Sequence, residues 1–274
     1  MRRLIVNADD FGFTPAVTAG ILEAHAAGSV TATSVMVHCP GWDDGVKQAR
    51  ATPSLEYGLH LNLLVGAPIA KVPSLTDARS GRFLPVTKLV RRSVLGQLGA
   101  DEIMAECEAQ LAALYQAGIP CTHIDSHRHT HALPVVHRAI AAVANKHGLA
   151  LRRPVESHLR AGGGWASQVH RGVIGMAWRI TATSAVRTRN ADHFLGVSMQ
   201  GSSKFEQQFL GAVSSLAPGT TEIMVHPGRV DAVLQSIDGY TWERERELAA
   251  LTSPAVRERL RRDDVALIGF AALQ

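Results

Sequence analysis

The chain has 274 residues, with 28 Lys and Arg against 24 Asp and Glu, a formal charge of +4. Hydrophobic residues make up 46% and charged residues 19%, which excludes a disordered chain and fits a core that needs no disulfide. Three scattered cysteines (Cys39, Cys107 and Cys121) without CxxC spacing argue against a disulfide framework or a zinc knuckle, and predict a reducing, cytoplasmic location.

No run of about 18 apolar residues occurs, so no membrane span is expected. Basic pairs at Arg2/Arg3, Arg91/Arg92, Arg152/Arg153 and Arg261/Arg262 lie far apart and aromatics are few, so nucleic acid is not an expected partner. The 13 histidines are the compositional oddity.

The chain begins with a short apolar strand, Arg3 to Ala8, ended by acids too early for an export signal. Thr14-Pro15 then opens a helix that Gly28 closes. Val30 to His38 is β-branched and reads as a strand, Trp42 to Ala51 as a helix, and Leu55 to Leu61 as a strand. Residues 62–98, rich in Pro and Gly, read as an irregular insertion or lid, whose exposed surface could serve as a homodimer contact.

Helices follow at Asp101 to Ala117 and Leu133 to His147, with strands at Cys121 to Asp125 and Leu149 to Arg152. Pro154 to Arg189 is poorly patterned, with a turn at Gly162-Gly163-Gly164 and a helix over His170 to Ile180. Strands at His193 to Gly196, Thr221 to His226 and Val265 to Phe270, with helices over 203–216 and 243–261, complete the pattern. About eight alternating β and α units predict one α/β domain over 1–274, a distorted or incomplete (β/α) barrel of the TIM type. The phosphate cradles of dinucleotide and P-loop proteins are missing.

Polar clusters fall at four expected strand ends, where parallel α/β folds build their sites. Adjacent Asp9 and Asp10 repel each other unless a cation sits beside them, and a divalent metal would hold one and leave the other free as a base. His60 follows the third strand. Asp125-Ser126-His127-Arg128-His129-Thr130-His131 is the strongest metal signal. If extended, it places three imidazoles on one side; if helical after Ser126, it pairs His127 with His131. Asp125 suits a hydrogen bond to a ligand histidine or to substrate. His226, before Pro227-Gly228, is placed to act as a general acid in its protonated form. Arg152 and Arg244 could hold a carboxylate or a substrate oxygen, or form plain surface ion pairs. Phe11, Trp42, Phe83, Trp165 and Trp242 are the candidate aromatic platforms for a sugar.

The segments NADDFG at 7–12, VTATSVMV at 30–37, GLHLNL at 58–63, THIDSHRHTH at 122–131 and TEIMVHPG at 221–228, then Arg244 with 247–253, occur in an order that resembles the YdjC-like carbohydrate deacetylases. The resemblance implies a distorted (β/α) barrel and metal-dependent removal of an N-acetyl group from an amino sugar, either a chitooligosaccharide or lipid-linked N-acetylglucosamine. It implies Asp10, His60 and His127 as metal ligands and Asp9 as catalytic base, with His131 the alternative ligand. Magnesium is the metal the family implies; zinc, cobalt or nickel suits the same donors. The competing readings are a metal-dependent phosphoesterase or amidohydrolase on a similar barrel, and a non-catalytic metal- or glycan-binding protein.

Overall fold

The computed structural model describes residues 1–156, 175, 176, 178, 181 and 187–273. β1 (Arg2–Phe11) is buried from Leu4 onward and runs three residues past the expected end, so Asp9 and Asp10 belong to the strand itself. Thr14 caps α1 (Pro15–Ala26) by accepting the Val17 N–H at 3.2 Å. α2 (Trp42–Ala51) and β3 (Glu56–Leu61) follow close to expectation, whereas β2 (Ala32–Val35) is shorter than the expected Val30 to His38, the chain leaving the sheet before His38 at φ 57°.

The 62–98 segment is more ordered than its composition suggests. It holds a 3-10 turn at Pro73–Leu75, an antiparallel bridge between Thr76 and Phe83, and helix α3 (Val86–Val94). Val86, Leu89, Val90 and Val94 of α3 fall at helical spacing although only Leu89 is buried, a stripe masked by the Pro and Gly residues around it. Val72, Leu75, Phe83, Leu84 and Leu98 anchor the rest of the segment.

α4 (Ala100–Gln116), β4 (His123–Ser126), α5 (Pro134–His147) and β5 (Ala150–Leu151) come next, with Gly148 closing α5 at φ 65°. The predicted turn at 162–164 lies outside the described residues, as does most of the predicted helix over 170–180. After β6 (His193–Leu195), α6 (Phe205–Ser214) and β7 (Gly219–Val225), a short helix α7 (Ala232–Ile237) appears that the sequence reading lacks. The single helix expected over 243–261 is two, α8 (Trp242–Leu251) and α9 (Pro254–Leu260). Pro254 cannot sit inside a helix, and Ser253 caps the new one by accepting the Val256 N–H at 3.3 Å.

Every pair of strands is parallel, in the order β5-β4-β3-β2-β1-β7-β6, with β8 (Ala266–Leu267) also on β1. β8 pairs with Arg3 and Leu4, and β2 takes over β1 from Asn7 onward. The result is a curled parallel sheet covered by helices, a distorted (β/α) barrel. In a regular strand, neighbouring side chains point to opposite faces. Between Ala8 and Phe11 the register against β2 shifts and Asp10 takes φ 75°, a bulge that lets Asp9 and Asp10 both serve the same end of the sheet.

Lower in the sheet, the fully buried His123 ring stacks on Phe270 with centroids 3.7 Å apart, filling the space left by the missing side chain of Gly58. Burial outweighs the nearby carboxylates and pushes His123 down to about 3. The unfolded chain, with an ordinary histidine near pH 6.5, therefore binds the extra proton as pH falls from there toward 3. Stability from this residue is complete above that range and lost through it, by about 1.4 kcal/mol per pH unit. Melting temperatures of the parent and of His123→Phe, taken from neutral pH down to about pH 4, should show a smaller acid loss in the variant; equal slopes would contradict this assignment.

Candidate metal centre and active site

The carboxyl ends of β1, β3, β4 and β7 converge on one cavity of about 630 Å3 whose lining includes Asp9, Asp10, His60, His127, His226 and Arg244. His60 on β3 lies directly beside Asp125 on β4 in register, and its Nδ1 is 2.7 Å from Asp125 Oδ1. With Nδ1–H donated to Asp125, Nε2 is the atom that faces Asp10 Oδ1, at 3.2 Å. His127 Nδ1 reaches the same Asp10 oxygen at 3.0 Å.

After Ser126 the chain folds into a tight 3-10 turn, with Arg128 and His129 both at φ 53°. This turn separates the histidines. His127 faces Asp10, whereas His131 folds back so that its Nδ1 lies 2.6 Å from Ser126 Oγ and its backbone N–H donates to the same oxygen. Neither the all-extended nor the helical arrangement of this segment forms.

Two arginines organise the acids, and both are buried, so the surface ion-pair reading is overturned. Arg152, just past β5, donates to both oxygens of Asp9 at 2.7 Å and to Glu222 Oε1 at 2.6 Å, and lies 2.8 Å from Asp125 Oδ2. Arg244 on α8 donates to Asp10 Oδ2 at 2.6 Å and to Asp238 at 3.1 Å. Burial alone would raise both aspartates, but Arg152 holds Asp9, and Arg244 with His127 holds Asp10, well below the usual carboxylate range. Burial disfavours charge on His60 too, yet Asp125 and Asp9 push it up to about 10.

The arrangement fits a cation. Asp10, His60 and His127 each offer a ligand atom within 4.8 Å of the others, and all three are buried. Two imidazole nitrogens crowd one carboxylate oxygen, a geometry that needs a proton or a metal between them. One carboxylate and two imidazoles suit a divalent first-row metal, and Asp125 orients His60 as an outer partner.

His226 stands across from this group, its Nε2 4.0 Å from Asp9 Oδ2. Burial outweighs the pull of Asp9 and Asp10 and takes it down to about 4, so its resting form near neutral pH is the uncharged ring rather than the expected imidazolium. Glu247 accepts the His226 backbone N–H at 2.6 Å and also the Tyr240 hydroxyl. The Tyr240 ring meets the His226 ring edge-on, with centroids 5.5 Å apart.

The sequence reading gave no role to Glu222, Glu247, Asp238 or Tyr240. An acid inside the apolar strand β7 is a signal for Glu222, and three-residue spacing from Arg244 on α8 is one for Glu247. Asp238 and Tyr240 lie outside regular elements and carry no such pattern. Of the proposed sugar platforms, Phe11 and Phe83 are buried in the core, Trp165 lies outside the described residues, and Trp42 and Trp242 are not among the cavity lining; Tyr240 is.

The YdjC-like protein family model matches residues 3–262. A carbohydrate deacetylase of Brevibacillus brevis is 33% identical over 99% of both chains, and a chitooligosaccharide deacetylase of Yersinia enterocolitica is 31% identical over 93% of this chain and 92% of its own. A crystal structure of a candidate cellobiose-phosphate cleavage protein from Enterococcus faecalis superimposes with a TM-score of 0.80 at 30% identity, covering 98% of this chain and 97% of that one. Together with the curled parallel sheet and its strand-end acids and histidines, these matches place the chain in the YdjC-like protein family.

Proposed function

We propose that the protein is a metal-dependent carbohydrate N-deacetylase, releasing acetate and a free amine from an N-acetylated amino sugar. The observation that carries this reading is the different pairing of adjacent acids: Asp10 lies against both His60 Nε2 and His127 Nδ1, while Asp9 is gripped through both oxygens by Arg152 and stands 4.0 Å from His60 and from His226. The names of the Brevibacillus and Yersinia relatives support a carbohydrate substrate, a chitooligosaccharide by the second; lipid-linked N-acetylglucosamine is the alternative of the same chemistry.

Asp10, His60 and His127 would hold the metal. When bound, a divalent ion supplies a Lewis acid that acidifies water and polarises the acetyl carbonyl. Asp9 accepts the proton of the attacking water at Oδ2, while the paired Arg152 contacts fix its carboxylate plane. His226 gives a proton to the departing nitrogen, without which an amide nitrogen is a poor leaving group. Because His226 rests uncharged, the proton it delivers is the one Asp9 has taken, relayed by a bridging water since the two groups stand 4.0 Å apart. Glu247 fixes the His226 backbone, and Tyr240 walls the cavity beside its ring. His131 in this reading supports the turn through Ser126.

Asp9→Asn should retain bound metal, measured by mass spectrometry of the protein, while acetate release drops by about 10²–10⁴-fold. Full turnover in that variant would end the base assignment. His60→Ala and His127→Ala should lose metal, and His131→Ala should keep it. Chelation of the parent protein should abolish acetate release from N-acetylglucosamine oligomers, and add-back of magnesium, zinc, cobalt or nickel should restore it and identify the metal. Phosphate release from sugar phosphates, with no acetate from amides, would favour a phosphoesterase instead. Arg152→Met, which strands three carboxylates, should cost about 3–5 kcal/mol of stability, read by denaturant unfolding.

A further inference from the structure

The net charge of the chain is not spread over its surface. Residues 62–98 hold Lys71, Arg79, Arg82, Lys88, Arg91 and Arg92 against the single acid Asp77, a net +5 in a chain whose total is +4. Within that segment, α3 presents Val90, Val94 and the following Leu95 to solvent at 39%, 79% and 55% exposure, alongside exposed Lys88 and Arg91. Asp77 is occupied in its own turn, accepting the N–H groups of Arg79 and Ser80.

We propose that the outer face of α3 docks the protein onto a bilayer surface rich in anionic lipid. A helix that pairs exposed aliphatic side chains with Lys and Arg and carries no acid matches an interfacial helix, which sinks its apolar residues to the headgroup boundary while its cations meet lipid phosphate. Arg92 is drawn back onto the Ser74 carbonyl at 2.7 Å and stitches the helix to the segment beneath it, so the exposed face is held in place. Phe83, the segment's one aromatic, is buried, so the face offers no base-stacking platform of the kind single-stranded nucleic acids use. Val86 and Val90 also line the cavity, so docking sets the cavity mouth at headgroup level. This proposal stands apart from the deacetylase reading and survives its failure.

The test is flotation of the 274-residue chain with vesicles of equimolar phosphatidylcholine and phosphatidylglycerol, and with phosphatidylcholine alone. Binding to the anionic vesicles that weakens with added salt is expected, with little binding to the neutral ones. Lys88→Gln/Arg91→Gln should weaken binding roughly thirtyfold. Val94→Asp/Leu95→Asp should abolish it. These four residues are exposed and outside the cavity lining, so both variants should keep the parent's circular dichroism and melting temperature. Equal floating with both vesicle types, or unchanged binding by either variant, would overturn the proposal. So would a parent dimer that Val94→Asp/Leu95→Asp splits, or retention of a DNA duplex in preference to vesicles.

Discussion

A single guanidinium holds the functional end of the barrel together. Arg152 is 1% exposed and touches Asp9 on β1, Asp125 on β4 and Glu222 on β7, while its own backbone continues β5. Burying one cation costs several kcal/mol, and burying three acids together costs more, so neither side of this cluster is tolerable without the other. The arrangement ties strands that are not neighbours in the sheet to one point. It leaves a residual imbalance as well. Burial exceeds what Arg152 returns to Glu222, which sits up at about 7 while Asp9 stays ionised.

The same interaction resolves the problem of two adjacent aspartates. Arg152 takes Asp9 by both oxygens and Arg244 takes one oxygen of Asp10, so each acid has its own cation and its own orientation. The β1 bulge supplies the backbone freedom that lets neighbours turn to one end of the sheet. Asp10 is then left with one oxygen touching two imidazoles, and Asp9 with one oxygen 4.0 Å from both His60 and His226. Charge pairing thus places chemically identical side chains in different surroundings.

Much of the architecture was legible because the chain punctuates itself. Thr14-Pro15, Gly118 and Gly148 mark helix ends, and β-branched runs mark β2 and β7. Where the reading failed, a local rule was overridden. Asp9 and Asp10 look like loop residues, yet a bulged strand carries them; Pro254 splits a helix that its periodicity joins; the short stripe of α3 lies in a Pro- and Gly-bearing stretch that reads as irregular. At the site, strand-end position singles out Asp9, Asp10, His60, His127 and His226, which the fold brings to the lining of one cavity. It could not foresee that His127 faces Asp10 and His131 faces Ser126, because that placement rests on two left-handed residues, Arg128 and His129, whose side chains do not announce such a turn.

The placement of β8 bears on how the protein is made. β1 finds its partners at β2, a short way along the chain, but also at β7 and β8, beyond residue 218. A ribosome delivers the chain from its first residue, so one edge of β1 waits unpaired while almost the whole sequence emerges. Asp9 and Asp10 spend that interval without Arg152 and then without Arg244, which are 143 and 234 residues away. The centre of the molecule is therefore its last part to be assembled, and such long-range closure makes folding slow. An unpaired apolar edge during synthesis is also a site for faulty association, so nascent β1 is where a chaperone would have most to protect.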